Sequence, residues 1–477
     1  MTDHYDAVVI GAGQAGGPLS TALAAAGWKV AIVEREHAGG TCVNEGCTPT
    51  KLMAHTARVA HIARRAPEYG VNAADISVDM EVVRQRKRDI VESWSSGSRN
   101  AIEGTDGVTY IDGEARFTGP HELSVALNDG GEIELSADKI FINTGQRPDI
   151  PAVDGLSDIP YLTNKTIMEL AEVPQHLIVL GGGYVGLEFG QMFRRFGAEV
   201  TIVEAHEQFL YREDRDIAEA VQGILKEDGI NLIVGTKPVR IEQPDDGLIR
   251  VVLETDEVLE GSHLLVATGR TPNTDTLDLD AAGIETNDRG YINVNDHLET
   301  SIEGVYALGD VNGGAPFTHV AYDDFRLMRA RILEGKEATT SGRLVPYTMF
   351  IDPQLAHVGL HEHEAEKQGF DYRVATLPMA HVARAIETKE TRGLMKAIVE
   401  AGSGRILGAT VLGVNGGEIM SVLQVAMMAG LPYTAFRDGV FAHPLFAESL
   451  NNLFSGLDDG YSTHLSTHLP QAKEAAV

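Results

Sequence analysis

The feature that constrains this chain most is a unit that occurs twice. Residues 5–36 read YDAVVIGAGQAGGPLSTALAAAGWKVAIVERE and residues 176–207 read HLIVLGGGYVGLEFGQMFRRFGAEVTIVEAHE. Each is an apolar run, a Gly-x-Gly-x-x-Gly turn, a stretch with helical apolar spacing, and a second apolar run that closes on an acid. The glycines are Gly11, Gly13 and Gly16, then Gly181, Gly183 and Gly186; Glu34 and Glu204 each follow the first glycine by 23 residues (11 to 34, 181 to 204). The first glycine makes a tight turn, the second lets backbone approach a pyrophosphate, and the third lets helix pack on strand. The helix N-terminus then faces the phosphates, and the acid accepts from a ribose hydroxyl. The pattern predicts an α/β fold with two Rossmann-like dinucleotide-binding domains. Two such sites in one chain point to a flavin, FAD, and a nicotinamide. Glu204 favours the free 2′-hydroxyl of NADH over the 2′-phosphate of NADPH, and Ala205, His206 and Glu207 after it bring no arginine for a phosphate.

A chain of 477 residues has room for about three domains at a typical ~150 residues each. Motif positions suggest a flavin domain over 1–150, a nicotinamide domain over 151–271, the rest of the flavin domain over 272–344, and a third domain over 345–458. That third part alternates strands and helices with no nucleotide signature, as an α+β domain does. Residues 459–477 are expected to be a mobile tail, in which His464 and His468 are ordinary polar residues. The net charge of −30, from 69 acidic and 39 basic residues, argues against nucleic acid and anionic lipid as partners. One basic cluster, Arg84, Arg86, Lys87 and Arg88, is expected on a solvated helical face. No apolar run approaches the ~20 residues that span a membrane. The start MTDHYD has no basic leader, so a cytoplasmic location is expected.

Only two cysteines occur, Cys42 and Cys47, within GGTCVNEGCTPTK at 39–51. A secreted disulfide framework uses more cysteines and longer loops, so a close pair in such a chain points to redox chemistry. A disulfide needs Cα atoms about 4.4–6.8 Å apart, whereas helical positions i and i+5 lie roughly 8–9 Å apart. The pair therefore requires a helix break between the cysteines, which Gly46 permits. Pro49 predicts that a regular helix starts close after Cys47. Thiolates near that helix start and Lys51 are expected to have depressed pKa values.

Taken in order, GAGQAG, GGTCVNEGCTPTK, INTGQRP, GGGYVGLE, ATGRTPN, YALGD and AHPLFAE resemble the pyridine nucleotide–disulfide oxidoreductases, up to about Leu457. The resemblance implies that Cys47 exchanges electrons with the flavin and that Cys42 meets the substrate. It implies that Lys51 lies near the flavin and pairs with Glu188, and that Tyr184 covers the flavin and moves when NADH binds. Gly40, Thr41, Thr144, Gly145, Arg147, Gly309 and Asp310 join the first glycine turn and Glu34 as flavin contacts. Gly269 and Arg270 join the second turn and Glu204 at the nicotinamide nucleotide. The domain from 345 implies a homodimer in which His443 and Glu448 complete the partner's active site. A histidine held by a carboxylate is a suitable base for thiol exchange near neutral pH.

Within the family, VPYTMFIDPQLAHVGL resembles the mercuric-reductase-like group, near the flavoprotein of bacterial reactive-chlorine resistance. Mercuric reductases carry a further C-terminal cysteine pair, and here no cysteine follows Cys47. The expected activity is a relay from NADH through FAD and Cys42–Cys47 to a thiophilic metal ion, Hg(II) or Cu(II), or to a disulfide. The alternatives are a dihydrolipoamide dehydrogenase, a flavin NADH oxidase, and a non-catalytic flavin-binding redox sensor. Retention of Cys42, Cys47, Lys51, Glu188 and His443 together argues against the sensor.

Overall fold

Both glycine-rich segments fold as strand, turn, helix, strand. In the computed structural model, which describes residues 3–458, the first is β1 (Asp3–Ile10), α1 (Gly16–Ala25) and β2 (Val30–Glu34). Ala7, Val8, Val9 and Ile10 are all buried. An apolar run without alternation suits a parallel strand covered on both faces. Beyond β2 the chain forms α2 (Gly40–Asn44), α3 (Cys47–Arg65), α4 (Met80–Glu103) and the strands β3 (Val108–Gly119), β4 (Glu122–Leu127) and β5 (Glu132–Ile142). β2 runs parallel to β1 and to β3, β5 lies parallel to β1 on its other side, and the strand Val305–Ala307 extends the sheet beyond β5. β4 links β3 to β5 antiparallel. One face of the sheet packs Val9 and Ile32 against Leu19, Leu23, Phe325 and Met328. The other packs Val8, Val33 and Ile140 with Phe117, Leu123 and Ile292. Each such side chain contributes about 1.5–3 kcal/mol on burial.

The second copy is the strand His176–Leu180, the helix Tyr184–Phe196 and the strand Glu199–Glu204, with His263–Val266 parallel to the first strand on its other side. The chain passes into and out of this fold through two short antiparallel strands, Gln146–Pro148 and Arg270–Pro272.

By contact, these elements, apart from Glu204, belong to a unit of residues 3–203 and 237–343, and the second unit is 204–236 with 344–458 among the described residues. The second unit holds an antiparallel sheet in the order Tyr347–Met349, Gln354–Gly359, Ile406–Gly413, Leu394–Glu400, Tyr372–Pro378. Its core joins Val358, Ala397 and Val411 to Leu423 of the helix Gly416–Met428 and to Leu450, Leu453 and Phe454. Lys396, only 3% exposed, reaches Asp214 at 3.1 Å, Asp216 at 2.9 Å and Glu362 at 2.7 Å. Nearby, His357 stacks on His361 with centroids 3.7 Å apart, and burial holds its pKa down at about 3, so this imidazole is neutral. The unit is thus α+β. The tail from Asp459, with His464 and His468, lies outside the described residues.

One expectation needs correcting. Arg84, Arg86, Lys87 and Arg88 do lie on a helix, α4, but Lys87 is buried. Its ammonium meets Glu169, which also takes Arg88 at 2.6 Å, while Arg84 donates to the Glu169 carbonyl at 3.1 Å. A buried cation is tolerated when it is paired and hydrogen-bonded. Sequence periodicity marked the helix but did not show that a carboxylate 82 residues away would cover one side of it.

Candidate active site

The two glycine turns are alike at their first and third glycines. A Cβ at Gly16 would lie 2.0 Å from the Gly11 carbonyl oxygen, and one at Gly186 would lie 2.0 Å from that of Gly181. No side chain fits between helix and turn at either place. A Cβ at Gly183 would meet nothing within 4 Å. That open space leaves the backbone there accessible to a phosphate. Glu34 closes the first turn, accepting from the Ala12 N–H at 2.8 Å and the Glu36 N–H at 2.9 Å. Glu204 ends its strand and accepts from the His206 N–H at 2.9 Å. Asn143, a buried residue with no assigned role in the sequence reading, accepts from the Gly16 N–H at 2.9 Å and donates to the Leu308 carbonyl at 2.8 Å. A polar residue at the end of the buried strand β5 was the available signal.

The cysteines sit on either side of a helix break. Cys42 lies in α2, whose first turn carries Gly40 and Thr41, and Cys47 is the first residue of α3 with Gly46 as its N-cap. Cys47 Sγ is 3.2 Å from Thr318 Oγ1. Lys51, one turn further along α3, binds Glu188 at 2.7 Å; that carboxylate is 4% exposed. The Cys42 thiol bonds to Cys47 and holds it at about 5, with Thr318 and the Lys51 charge adding to the effect against burial and Glu188. Cys42 moves the other way, pushed up by its bond to the Cys47 sulfur and by burial. This corrects the expectation that both thiols are depressed. The two share one proton, and only the sulfur at the helix start carries the charge.

The same charge reaches further groups. Asp310, beside Gly309, is raised by burial, opposed by Arg270 and supported by the Cys47 charge. Tyr184 is raised by burial, with Arg270, Asp310, Glu188 and Cys47 all acting on it. The Gly309 N–H is fixed by Asp324 at 2.8 Å, and Asp324 in turn takes Arg343 at 2.8 Å. Cys47, Lys51, Glu188, Tyr184, Arg270 and Asp310 are therefore one electrostatic cluster. A thiolate, an anchored ammonium, an aromatic ring and a carboxyl beside a glycine turn fit a flavin and its ribityl chain by the chemistry of the donor set. Thr144 and Asn273 exchange bonds at 2.9 and 2.8 Å, Gly145 accepts from the Asn273 N–H, and Arg270 donates to the Gln146 carbonyl at 2.8 Å. Gly269 adjoins that pairing with a φ of +158°. Arg147 is committed to Asp275 at 2.8 and 3.0 Å. In the second unit His443 Nδ1 lies 2.9 Å from Glu448 Oε2, with the imidazole 66% exposed.

Thr318 had no motif-level signal, yet it faces the thiolate directly. Thr318→Val is expected to raise the pH midpoint of Cys47 alkylation by about one unit, since a bond to a charged group is worth about 1.5–3 kcal/mol. Iodoacetamide rates followed from pH 4 to 9 with mass mapping measure it, and an unmoved midpoint would discount Thr318.

Residues 5–324 match the family model of the pyridine nucleotide-disulphide oxidoreductases, and residues 345–454 match its dimerisation domain. The chain belongs to that family of flavoprotein disulfide reductases. It is 40% identical over 458 residues to the probable pyridine nucleotide-disulfide oxidoreductase RclA of Escherichia coli, covering 95% of this chain and 99% of the relative. A mercuric reductase of Lysinibacillus sphaericus is 34% identical over 453 residues, 94% of this chain and 82% of that one. A dihydrolipoyl dehydrogenase of Halobacterium salinarum is 33% identical, covering 93% and 94%. A solved Cu(II) complex of the HOCl-induced flavoprotein disulfide reductase RclA from Escherichia coli superposes with a TM-score of 0.88 at 39% identity, covering 95% of this chain and 99% of that one. Among the described residues no helix is long and apolar enough to cross a membrane.

Proposed function

We propose that this chain is an NADH-dependent reductase that passes electrons through Cys42 and Cys47 to a thiophilic metal ion such as Cu(II) or Hg(II). The carrying observation is the split between the two thiols, with Cys47 held as a thiolate near 5 and Cys42 held as a thiol. Gly11, Gly13, Gly16, Glu34, Gly40, Thr41, Thr144, Gly145, Gly309 and Asp310 hold FAD in this reading, with Arg147 at the link between the domains. Gly181, Gly183, Gly186, Glu204, Gly269 and Arg270 hold NADH. The flavin domain is 1–150 with 272–344, the nicotinamide domain 151–271 and the dimer domain 345–458.

When bound, the flavin supplies the two-electron carrier between nicotinamide and thiols. The protein's residues manage geometry and protons. Lys51, fixed by Glu188, keeps a cation beside Cys47, and Tyr184 shields that side from water until NADH enters. Cys42 keeps its proton at neutral pH, so it needs a base before it can act. His443 of the partner subunit, oriented by Glu448 of the partner subunit, takes that proton in a homodimer. Both sulfurs then meet the ion, and two electrons leave them as the Cys42–Cys47 disulfide forms. These electrons reduce one Hg(II) to the metal or two Cu(II) to Cu(I).

A disulfide acceptor is the second reading, supported by the His443–Glu448 bond, since exchange at a disulfide needs a proton donor for the leaving thiolate. Steady-state rates of the FAD-loaded protein with NADH against Cu(II), Hg(II), lipoamide and glutathione disulfide test both. Metal ions are expected to give the highest kcat/KM. Indifference to all four defeats the reductase reading, and preference for lipoamide moves the assignment to the dehydrogenase.

A further inference from the structure

The redox segment carries an acid that the relay does not use. Glu45 lies between the cysteines, at the end of α2, and its N–H donates to the Thr41 carbonyl at 2.9 Å. Gly46 follows as the N-cap of α3, with φ −126° and ψ −116°. A Cβ at Gly46 would stand 2.9 Å from the Thr41 carbonyl oxygen, so the break between the helices takes a glycine. Glycine also has the most conformational freedom to lose on folding. The break that brings the two sulfurs together is therefore the part of the segment with the most freedom along its own backbone.

Two consecutive residues hold Glu45 from outside the segment. Asn164, 8% exposed, donates its side-chain amide to the Glu45 carbonyl at 2.9 Å. The Lys165 ammonium meets the Glu45 carboxylate at 2.5 Å. Both belong to the short helix Asn164–Ile167, which Thr163 and Thr166 cap reciprocally and which Ile167 and Met168 seat in the interior. Just before it, Leu162 donates to the Leu264 carbonyl at 2.7 Å and accepts from the Val266 N–H at 2.8 Å. The helix is thus fastened to the strand His263–Val266 of the second glycine fold. Lys165 also reaches Glu36 at 3.2 Å, and the Glu36 N–H donates to Glu34. One ammonium joins the residue between the sulfurs to the segment behind the first acid.

A disulfide is favoured in proportion to how often one sulfur stands at the other, so restraining the backbone between them raises the effective concentration of Cys42 at Cys47. Grips on the carboxylate and the carbonyl of the residue before Gly46 fix the direction in which the chain leaves α2 and enters α3. We propose that Lys165, with Asn164, is a positioning residue of the thiol centre, holding Glu45 so that Cys42 stays within bonding reach of Cys47 and the disulfide is favoured. This rests on reading the cysteine pair as the electron relay.

Equilibration of the FAD-loaded protein with mixtures of dithiothreitol and its cyclic disulfide, at pH 7 under argon and without NADH, tests it. In that exchange one dithiothreitol opens the protein disulfide, giving the Cys42 thiol, the Cys47 thiolate, the cyclic disulfide and one proton. Acid quenching, alkylation and mass measurement count the open fraction. Lys165→Met is expected to shift the equilibrium about fivefold toward the open pair, and Lys165→Arg to return it to within about twofold of wild type. Glu45→Gln should match Lys165→Met, and the double variant should shift no further than either single change, because both remove the same interaction. If Lys165→Met does not fold, Glu45→Gln against wild type decides alone. A shift under about twofold, a shift toward the disulfide, or a double-variant shift equal to the product of the two overturns the proposal while the relay stands. A wild-type pair that stays open at every ratio removes the relay itself, and the proposal with it.

Discussion

Cys47→Ser is expected to lower NADH-driven reduction of the acceptor by at least about a thousandfold, because the residue acts as part of a unit whose other members have no substitute route. Cys47 is the sulfur that carries the charge, at the N-terminus of α3 and beside Thr318 and the Lys51–Glu188 pair. A serine hydroxyl there holds its proton at every working pH and forms no disulfide with Cys42. Oxidation of NADH by dissolved oxygen needs no thiol and should persist in the same variant. Parallel assays of acceptor reduction and oxygen uptake on the FAD-loaded protein measure both arms. An acceptor rate above a tenth of wild type would sink the relay and leave a flavin oxidase in its place. Cys42→Ala, which leaves no side-chain donor to Cys47, tests the other half. Acceptor reduction should fall by a similar factor, and Cys47 should lose its depressed pKa, because its largest cause is the Cys42 thiol.

The second large effect is on stability. Lys396→Met keeps the length of a side chain that is 3% exposed but leaves Asp214, Asp216 and Glu362 without their shared cation. Removing one side of a buried pair costs about 3–5 kcal/mol, since the remaining charge stays buried. The thermal transition of this variant should fall by several degrees at pH 7, and Asp214→Asn, at the one carboxylate of the three that is buried, should recover part of it in the same background. The pH dependence has a definite sign. Burial pushes Asp214 up, but the Glu362 N–H, the Lys396 charge and His363 outweigh it and hold the carboxyl at about 2. A carboxyl depressed in the folded state stabilises above its unfolded value, and that contribution is lost as pH falls through the folded one. For Asp214 the loss runs from about pH 4 down to about 2. The gap between Lys396→Met and the parent should therefore narrow over that window when melting is followed by circular dichroism. A gap under about 1 kcal/mol at pH 7 would show that Lys396 is not buried in solution.

Much of the fold could be read along the chain because its causes are local. An unbroken apolar run such as Ala7–Ile10 is what a parallel strand needs, and a Gly-x-Gly-x-x-Gly turn admits a helix only one way. The cysteine spacing likewise demanded a break, and the structure puts it at Gly46, with Cys47 opening α3. Other parts depend on residues distant in sequence. Thr318 stands 271 positions from Cys47, Asn143 ties Gly16 to Leu308, and Glu169 buries Lys87 across 82 positions. No spacing rule reaches that far.

By itself, the sequence determined that this chain has two dinucleotide-binding folds, one redox-capable cysteine pair and a third part without a dinucleotide signature. Periodicity, glycine placement and the absence of any further cysteine are written in linear order. Only the tertiary structure decided which sulfur bears the charge. A shared proton goes to the partner with less electrostatic support, and Thr318 and Glu188, which contribute to that balance, reach Cys47 only when the chain is folded.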